Sequence, residues 1–225
     1  MKFFKKITIQ IFKKTIIVVV SLFVIYSVGL ATGSGINTLN IDTEAINFDR
    51  ILFVPGINTN ASDLVRWKRD LTFNFPEKEI IFIDDFVYFY WQDDKTEKIV
   101  NKGVEILNDG KSTLVIAHSY GGLLVKSIIE KAENGNVVKL ITMASPHKVN
   151  ALGVAESKTF LEVPEEVNVP TYSFGGYVDW MVLFPDSNVE DSQHEDLWSG
   201  HSGFLFNKDI RKKVLEFALG LSYVE

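Results

Sequence analysis

The chain has 225 residues, 46% hydrophobic and 12% aromatic, enough apolar material for one large core. A charged fraction of 23% with no long Pro, Gly or Gln tract excludes a disordered or collagen-like chain. The absence of cysteine excludes disulfides, a thiol nucleophile, thiolate zinc sites and cysteine-ligated iron–sulfur clusters. The net charge is −6, yet Lys2, Lys5, Lys6, Lys13 and Lys14 supply +5 without an acid among them; the remaining −11 argues against a broad nucleic-acid-binding face.

Those lysines precede the longest uncharged stretch, Thr15 to Ile41, whose apolar heart is Ile16 to Ala31. With no polar face, it does not read as a buried helix of the fold, and it is expected to meet a membrane. Two readings stand: a secretory signal peptide, with Gly29 and Ala31 as an approximate A-x-A cleavage site, or an uncleaved anchor approaching the roughly 20 residues that span a bilayer. In both, the lysines stay cytoplasmic and the residues after 40 lie outside, either secreted or membrane-anchored. Residues 32–47 are small and polar and read as a linker, so the expected organisation is 1–31 signal or anchor, 32–47 linker and 48–225 folded domain.

From Phe48 onward, short β-rich runs alternate with segments of helical period. Ile51–Val54, Ile80–Ile83, Thr113–Ala117, Val138–Met143 and Thr171–Phe174 are candidate buried strands. Leu64, Trp67 and Leu71 recur at helical spacing, as do Ile99, Gly103, Ile106 and Leu107, then Leu124, Ile128 and Ala132, and finally Ile210, Val214, Phe217 and Ala218. This alternation predicts an α/β fold: a mostly parallel twisted sheet with helices on both faces and ligands at the carboxyl ends of the strands.

At one such strand end Thr113–Ala117 runs into His118-Ser119-Tyr120-Gly121-Gly122 and a helical pattern. A serine on a sharp strand-to-helix turn is lifted out of the sheet. Small residues two before and two after it, here Ala117 and Gly121, let strand and helix approach, and the helix N-terminus favours an oxyanion. A plain capped helix start also fits this stretch taken alone.

The stretch resembles the G-x-S-x-G nucleophile elbow of the α/β-hydrolase family, with Ala117 in place of the first glycine. The resemblance covers about residues 48–222 and implies a lipase- or esterase-like serine hydrolase without metal or organic cofactor. The family's chain order is Ser, acid, His, each after a strand. After Thr171–Phe174, the segment Gly175-Gly176-Tyr177-Val178-Asp179 resembles the turn that carries the acid, with Asp186, Asp191 and Asp196 as rivals and an ordinary turn aspartate as the plain alternative. Gly200-His201-Ser202-Gly203 falls where the family's histidine loop does, so His201 is the expected base. His194, in an acidic stretch, reads as a solvated surface histidine, while His118 adjoins the nucleophile and His147 follows a different strand. The implied oxyanion hole comprises the backbone N–H groups of Tyr120 and of Ile57, the latter in the Pro55-Gly56-Ile57-Asn58 turn after the strand Arg50–Val54.

Ile141–His147 matches the T/S-P-H turn of lipase-like members and is assigned no chemistry. Phe86–Trp91 either lines an acyl pocket or packs in the core, and residues 149–168 form a short cap at most. Trp180, Met181, Phe184 and Trp198 either rim the site or are core. The expected partners are an acyl ester or thioester substrate, lipids included, and a membrane. A catalytically inactive binding module and an acyltransferase using the same residues remain the alternatives.

Overall fold

The computed structural model describes residues 47–83, 85, 93–147, 163–164, 166–182, 186–189 and 192–218. Six strands, β1 (Arg50–Val54), β2 (Glu79–Phe82), β3 (Thr113–His118), β4 (Val137–Met143), β5 (Thr171–Gly176) and β6 (Gln193–Leu197), form one sheet in the order β2-β1-β3-β4-β5-β6. Every neighbouring pair is parallel. Five helices are described: α1 (Ala61–Asn74), α2 (Asp93–Leu107), α3 (Gly121–Lys131), the single turn α4 (Gly203–Phe206) and α5 (Lys208–Ala218).

Central and edge strands differ in composition because they differ in cover. β1 and β3 are buried at every residue, and Ile51–Val54 and Leu114–Ala117 within them read as continuous apolar runs, as expected of strands packed on both faces. The pleat divides them: Ile51, Phe53, Leu114 and Ile116 face α1, α4 and α5, whereas Leu52, Val54, Val115 and Ala117 face α2 and α3. The edge strand β6, Gln193-His194-Glu195-Asp196-Leu197, has one apolar residue and was not among the strands expected from the apolar runs; its backbone pairing to β5 makes it a strand.

Helix α1 starts on a reciprocal cap. The Asn60 side chain accepts the N–H groups of Ser62 (2.8 Å) and Asp63 (3.2 Å), and Asp63 accepts the Asn60 N–H (2.9 Å). It buries Leu64, Trp67 and Leu71, and the Trp67 indole N–H donates to the Phe204 carbonyl at 2.9 Å. Between α1 and α5 lies an ion pair closed to solvent on both sides: Arg211 Nε donates to Asp70 Oδ2 at 2.8 Å, and Nη1 to the Leu205 carbonyl at 3.2 Å.

The apolar segment Ile16–Ala31, the linker up to residue 46, the aromatic run Phe86–Trp91 and residues 149–162 of the expected cap lie outside the described residues. Among the described residues, no helix is long and apolar enough to cross a membrane.

Removing Asp70 strands a buried guanidinium. Asp70→Ala is expected to lower the unfolding free energy by about 3–5 kcal/mol. A urea titration reads this as a reduced midpoint at unchanged slope, and a loss below about 1 kcal/mol contradicts the pairing.

Candidate active site

β3 delivers Ser119 to the carboxyl end of the sheet, and α3 leaves from it within two residues. Ser119 holds φ at 55°, a left-handed conformation that non-glycine residues seldom adopt. The turn is bonded on both sides: the Ser119 N–H donates to the Met143 carbonyl at 2.9 Å, and the Gly122 N–H to the Ser119 carbonyl at 3.0 Å. Gly121 passes beneath the end of β1, where a Cβ would lie 2.2 Å from the Val54 carbonyl oxygen, so only glycine fits. The loop after β1 closes over the serine, since a Cβ on Gly56 would lie 2.6 Å from Ser119 Cβ. Ile57 follows on that loop, half-buried, in the turn with Asn58. Tyr120 begins α3 with no side-chain cap, so the helix N-terminus beside Ser119 presents its partial positive charge.

The other two residues arrive on β5 and β6. Their pairing continues past the strand ends, with the Tyr177 N–H donating to the Leu197 carbonyl (3.0 Å) and the Val178 N–H to that of Ser199 (3.3 Å), so the turn with Asp179 and the loop with His201 are held together. Asp179 Oδ1 accepts the N–H groups of Met181 and Val182, both at 2.9 Å, which fixes the carboxylate plane. Oδ2 then lies 2.9 Å from His201 Nδ1, and His201 Nε2 lies 2.8 Å from Ser119 Oγ. Asp179 and His201 are buried, and Ser119 is half-buried. With Nδ1–H donating to the carboxylate, Nε2 is the bare nitrogen that accepts the serine hydroxyl, and such a chain can draw a proton from the oxygen.

Of the rivals, Asp196 is engaged elsewhere, its Oδ1 lying 3.1 Å from His194 Nε2, whereas it is the carboxylate of Asp179 that meets His201; Asp191 lies outside the described residues. His194 is not the solvated surface residue expected from its acidic neighbours. The β5–β6 register sets it opposite Ser173, whose Oγ lies 2.8 Å from Nδ1, and its side chain is 16% exposed. His147 Nε2 bonds Thr142 Oγ1 at 3.0 Å. His118, assigned nothing beyond adjacency to the serine, reaches the His201 carbonyl with Nε2 at 3.1 Å. Only the pleat, which alternates Ile116 and His118 onto one face of β3, hints at this in the sequence.

Around the site Trp198 (79% exposed), Trp180 (63%), Tyr177, Val178 and Met181 stand in solvent rather than in the core; Tyr177 and Trp198 have ring centroids 6.1 Å apart. Phe184 lies outside the described residues, among which no three His, Asp or Glu side chains converge to hold a metal ion.

Burial pushes the imidazoles of His118 and His147 down from 6.5 to about 3, with His201 beside the first and Lys126 and His194 beside the second adding to the effect. The unfolded chain therefore binds more protons than the folded one between those values, and stability falls as pH drops below 6.5. The decline in unfolding free energy from pH 6.5 to about 5, before most carboxylates titrate, is expected to be shallower in His147→Gln. Identical slopes contradict the buried neutral state.

No protein-family model matches this sequence, and no curated protein matches it. Solved structures do. The ydeN gene product of B. subtilis superposes with a TM-score of 0.60 at 12% identity, over 76% of this chain and 99% of that one. The mature Bacillus licheniformis lipase BlEst2 gives 0.55 at 14% identity over 83% and 96%, and the thioesterase RedJ of the Streptomyces coelicolor prodiginine pathway 0.52 at 14% over 77% and 90%. With its parallel sheet, its elbow after β3 and these structural neighbours, the chain has the α/β-hydrolase fold.

Proposed function

We propose that the protein is a serine hydrolase of carboxylic esters or thioesters. The observation that carries this reading is the hydrogen-bonded chain Ser119–His201–Asp179, with spacings of 2.8 and 2.9 Å, at the carboxyl end of the sheet. His201 takes the hydroxyl proton as Ser119 Oγ attacks the acyl carbon. Asp179 holds the imidazole in the required tautomer and faces the imidazolium that forms. The tetrahedral oxyanion is assigned to the N–H groups of Ile57 and Tyr120. His201 then protonates the leaving alcohol or thiol, and water, deprotonated by the same imidazole, releases the acid from Ser119. Of the neighbours, BlEst2 is a lipase and RedJ a thioesterase; each label supports one half of the substrate class.

The two exposed tryptophans and Met181 give the mouth an apolar rim, which favours acyl chains over sugars or peptides. The basic start and the apolar Ile16–Ala31 are what supports a domain outside the cytoplasm, next to a bilayer if the segment is an anchor and released if it is a signal peptide.

Labelling by a fluorophosphonate probe is expected for the wild type and lost in Ser119→Ala; labelling that survives the substitution defeats the assignment. His201→Ala is expected to abolish turnover and His194→Ala to leave it within about threefold, because among the described residues the latter ring's hydrogen bonds go to Ser173 and Asp196 rather than to Ser119. Asp179→Asn is expected to lose about 10,000-fold in kcat. Against a chain-length series of p-nitrophenyl esters, rates are expected to rise beyond acetyl, and a sharp maximum at acetyl removes the apolar-mouth reading while leaving the serine chemistry standing.

A further inference from the structure

His118 ends β3, with its side chain on the face that carries Leu114 and Ile116. That face is covered by α1, α4 and α5, and α4 begins two residues after His201. The His118 ring is 2% exposed and packs on the His201 ring, centroids 4.9 Å apart and planes inclined at 50°. Its Nε2 lies 3.1 Å from the His201 carbonyl oxygen, which can only accept, so Nε2 carries the proton. Nδ1 is then bare, buried and without a partner among the described residues.

The last residue of β3 and the residue that follows it therefore grip the same histidine. Ser119 meets His201 at the ring nitrogen, and His118 meets its backbone. The loop bearing His201 comes from the far side of the sheet, after edge strand β6, so an error in where that strand settles would move the ring relative to the serine. The backbone bond from His118 ties the loop to β3 one residue from the nucleophile.

Resting on the hydrolase reading above, we propose that His118 is a positioning residue that sets the His201 loop against Ser119 by donating Nε2–H to the His201 carbonyl. The role requires a neutral ring, because an imidazolium 4.9 Å away would oppose the charge His201 takes up in the attack. Deep burial keeps His118 neutral down to about pH 3.

The test compares His118→Phe, which keeps a ring and removes the donor, with His118→Gln, whose amide restores a donor near the Nε2 position. Expected are a fall of about tenfold in kcat for the Phe variant, the worth of one hydrogen bond in a transition state, with KM within about twofold. The fluorophosphonate labelling rate should fall by the same factor, and Gln should recover most of both. A Phe variant as fast as the wild type, or a Gln variant no better than Phe, overturns the proposal. A wild type that the probe does not label instead removes the hydrolase reading. Nitrogen-15 NMR of the imidazoles in the unmodified full-length chain gives a measurement free of variants and of turnover: His118 is expected as the Nε2–H tautomer and unprotonated to about pH 4, above its folded value of about 3. A proton on Nδ1, or titration near 6.5, overturns the proposal on its own.

Discussion

Much of the architecture is subordinate to the reversal between β3 and α3. A strand that must become a helix within two residues has no unstrained way to do so, and Ser119 takes the left-handed conformation that results. Such a residue costs on the order of 1–3 kcal/mol and persists only where its surroundings over-determine it. Here they do. β3 is flanked by β1 and β4 along its length, the Met143 carbonyl accepts the Ser119 N–H, and Gly121 slides beneath the Val54 carbonyl without a side chain to strike it. The strain is held where the sheet is stiffest, and the hydroxyl is presented rather than packed.

The acid and the proposed base come from the opposite flank. Their own contacts are local: Asp179 is clamped by two amides of its own turn, and the loop of His201 by the continuation of the β5–β6 ladder. Contact with the centre is made at the last atoms, Nε2 to Oγ, and by the His118 ring to the His201 backbone. One histidine is thus met from two adjacent positions at the end of a central strand, and the geometry of the edge is referred back to the core.

How much of this the sequence discloses follows from what burial does to composition. β1, β3, β4 and β5 stand out as apolar runs because both their faces are covered, and the four long helices stand out through the period of Leu64, Trp67 and Leu71, of Ile99 and Ile106, of Leu124 and Ile128, and of Ile210 and Val214. Ser119, Asp179 and His201, picked out by motif order, are the residues that the structure joins by hydrogen bonds. β6 is illegible because an edge strand needs backbone partners rather than apolar side chains, and with it goes the environment of His194, which looks solvated until Ser173 is set opposite. The Asp70–Arg211 pair spans 141 residues and leaves no local pattern. Trp180 and Trp198 mislead in the other sense: large aromatics ordinarily signal core, and these two are exposed.

The placement of the site across both kinds of strand also shapes how the molecule loses order. Native proteins open in cooperative pieces, and a sheet edge with one neighbour and few apolar contacts opens at lower free energy than the centre. β6 has one strand neighbour and one fully buried side chain, whereas β3 has two neighbours and none exposed. Detachment of β6 would carry His201 away from Ser119 while β1, β3 and β4, with α1 and α3 packed on them, stayed intact. Amide hydrogen exchange would then be fastest along the strand that leads to His201, and the hydrogen-bonded chain would dissolve in a molecule that is still largely folded.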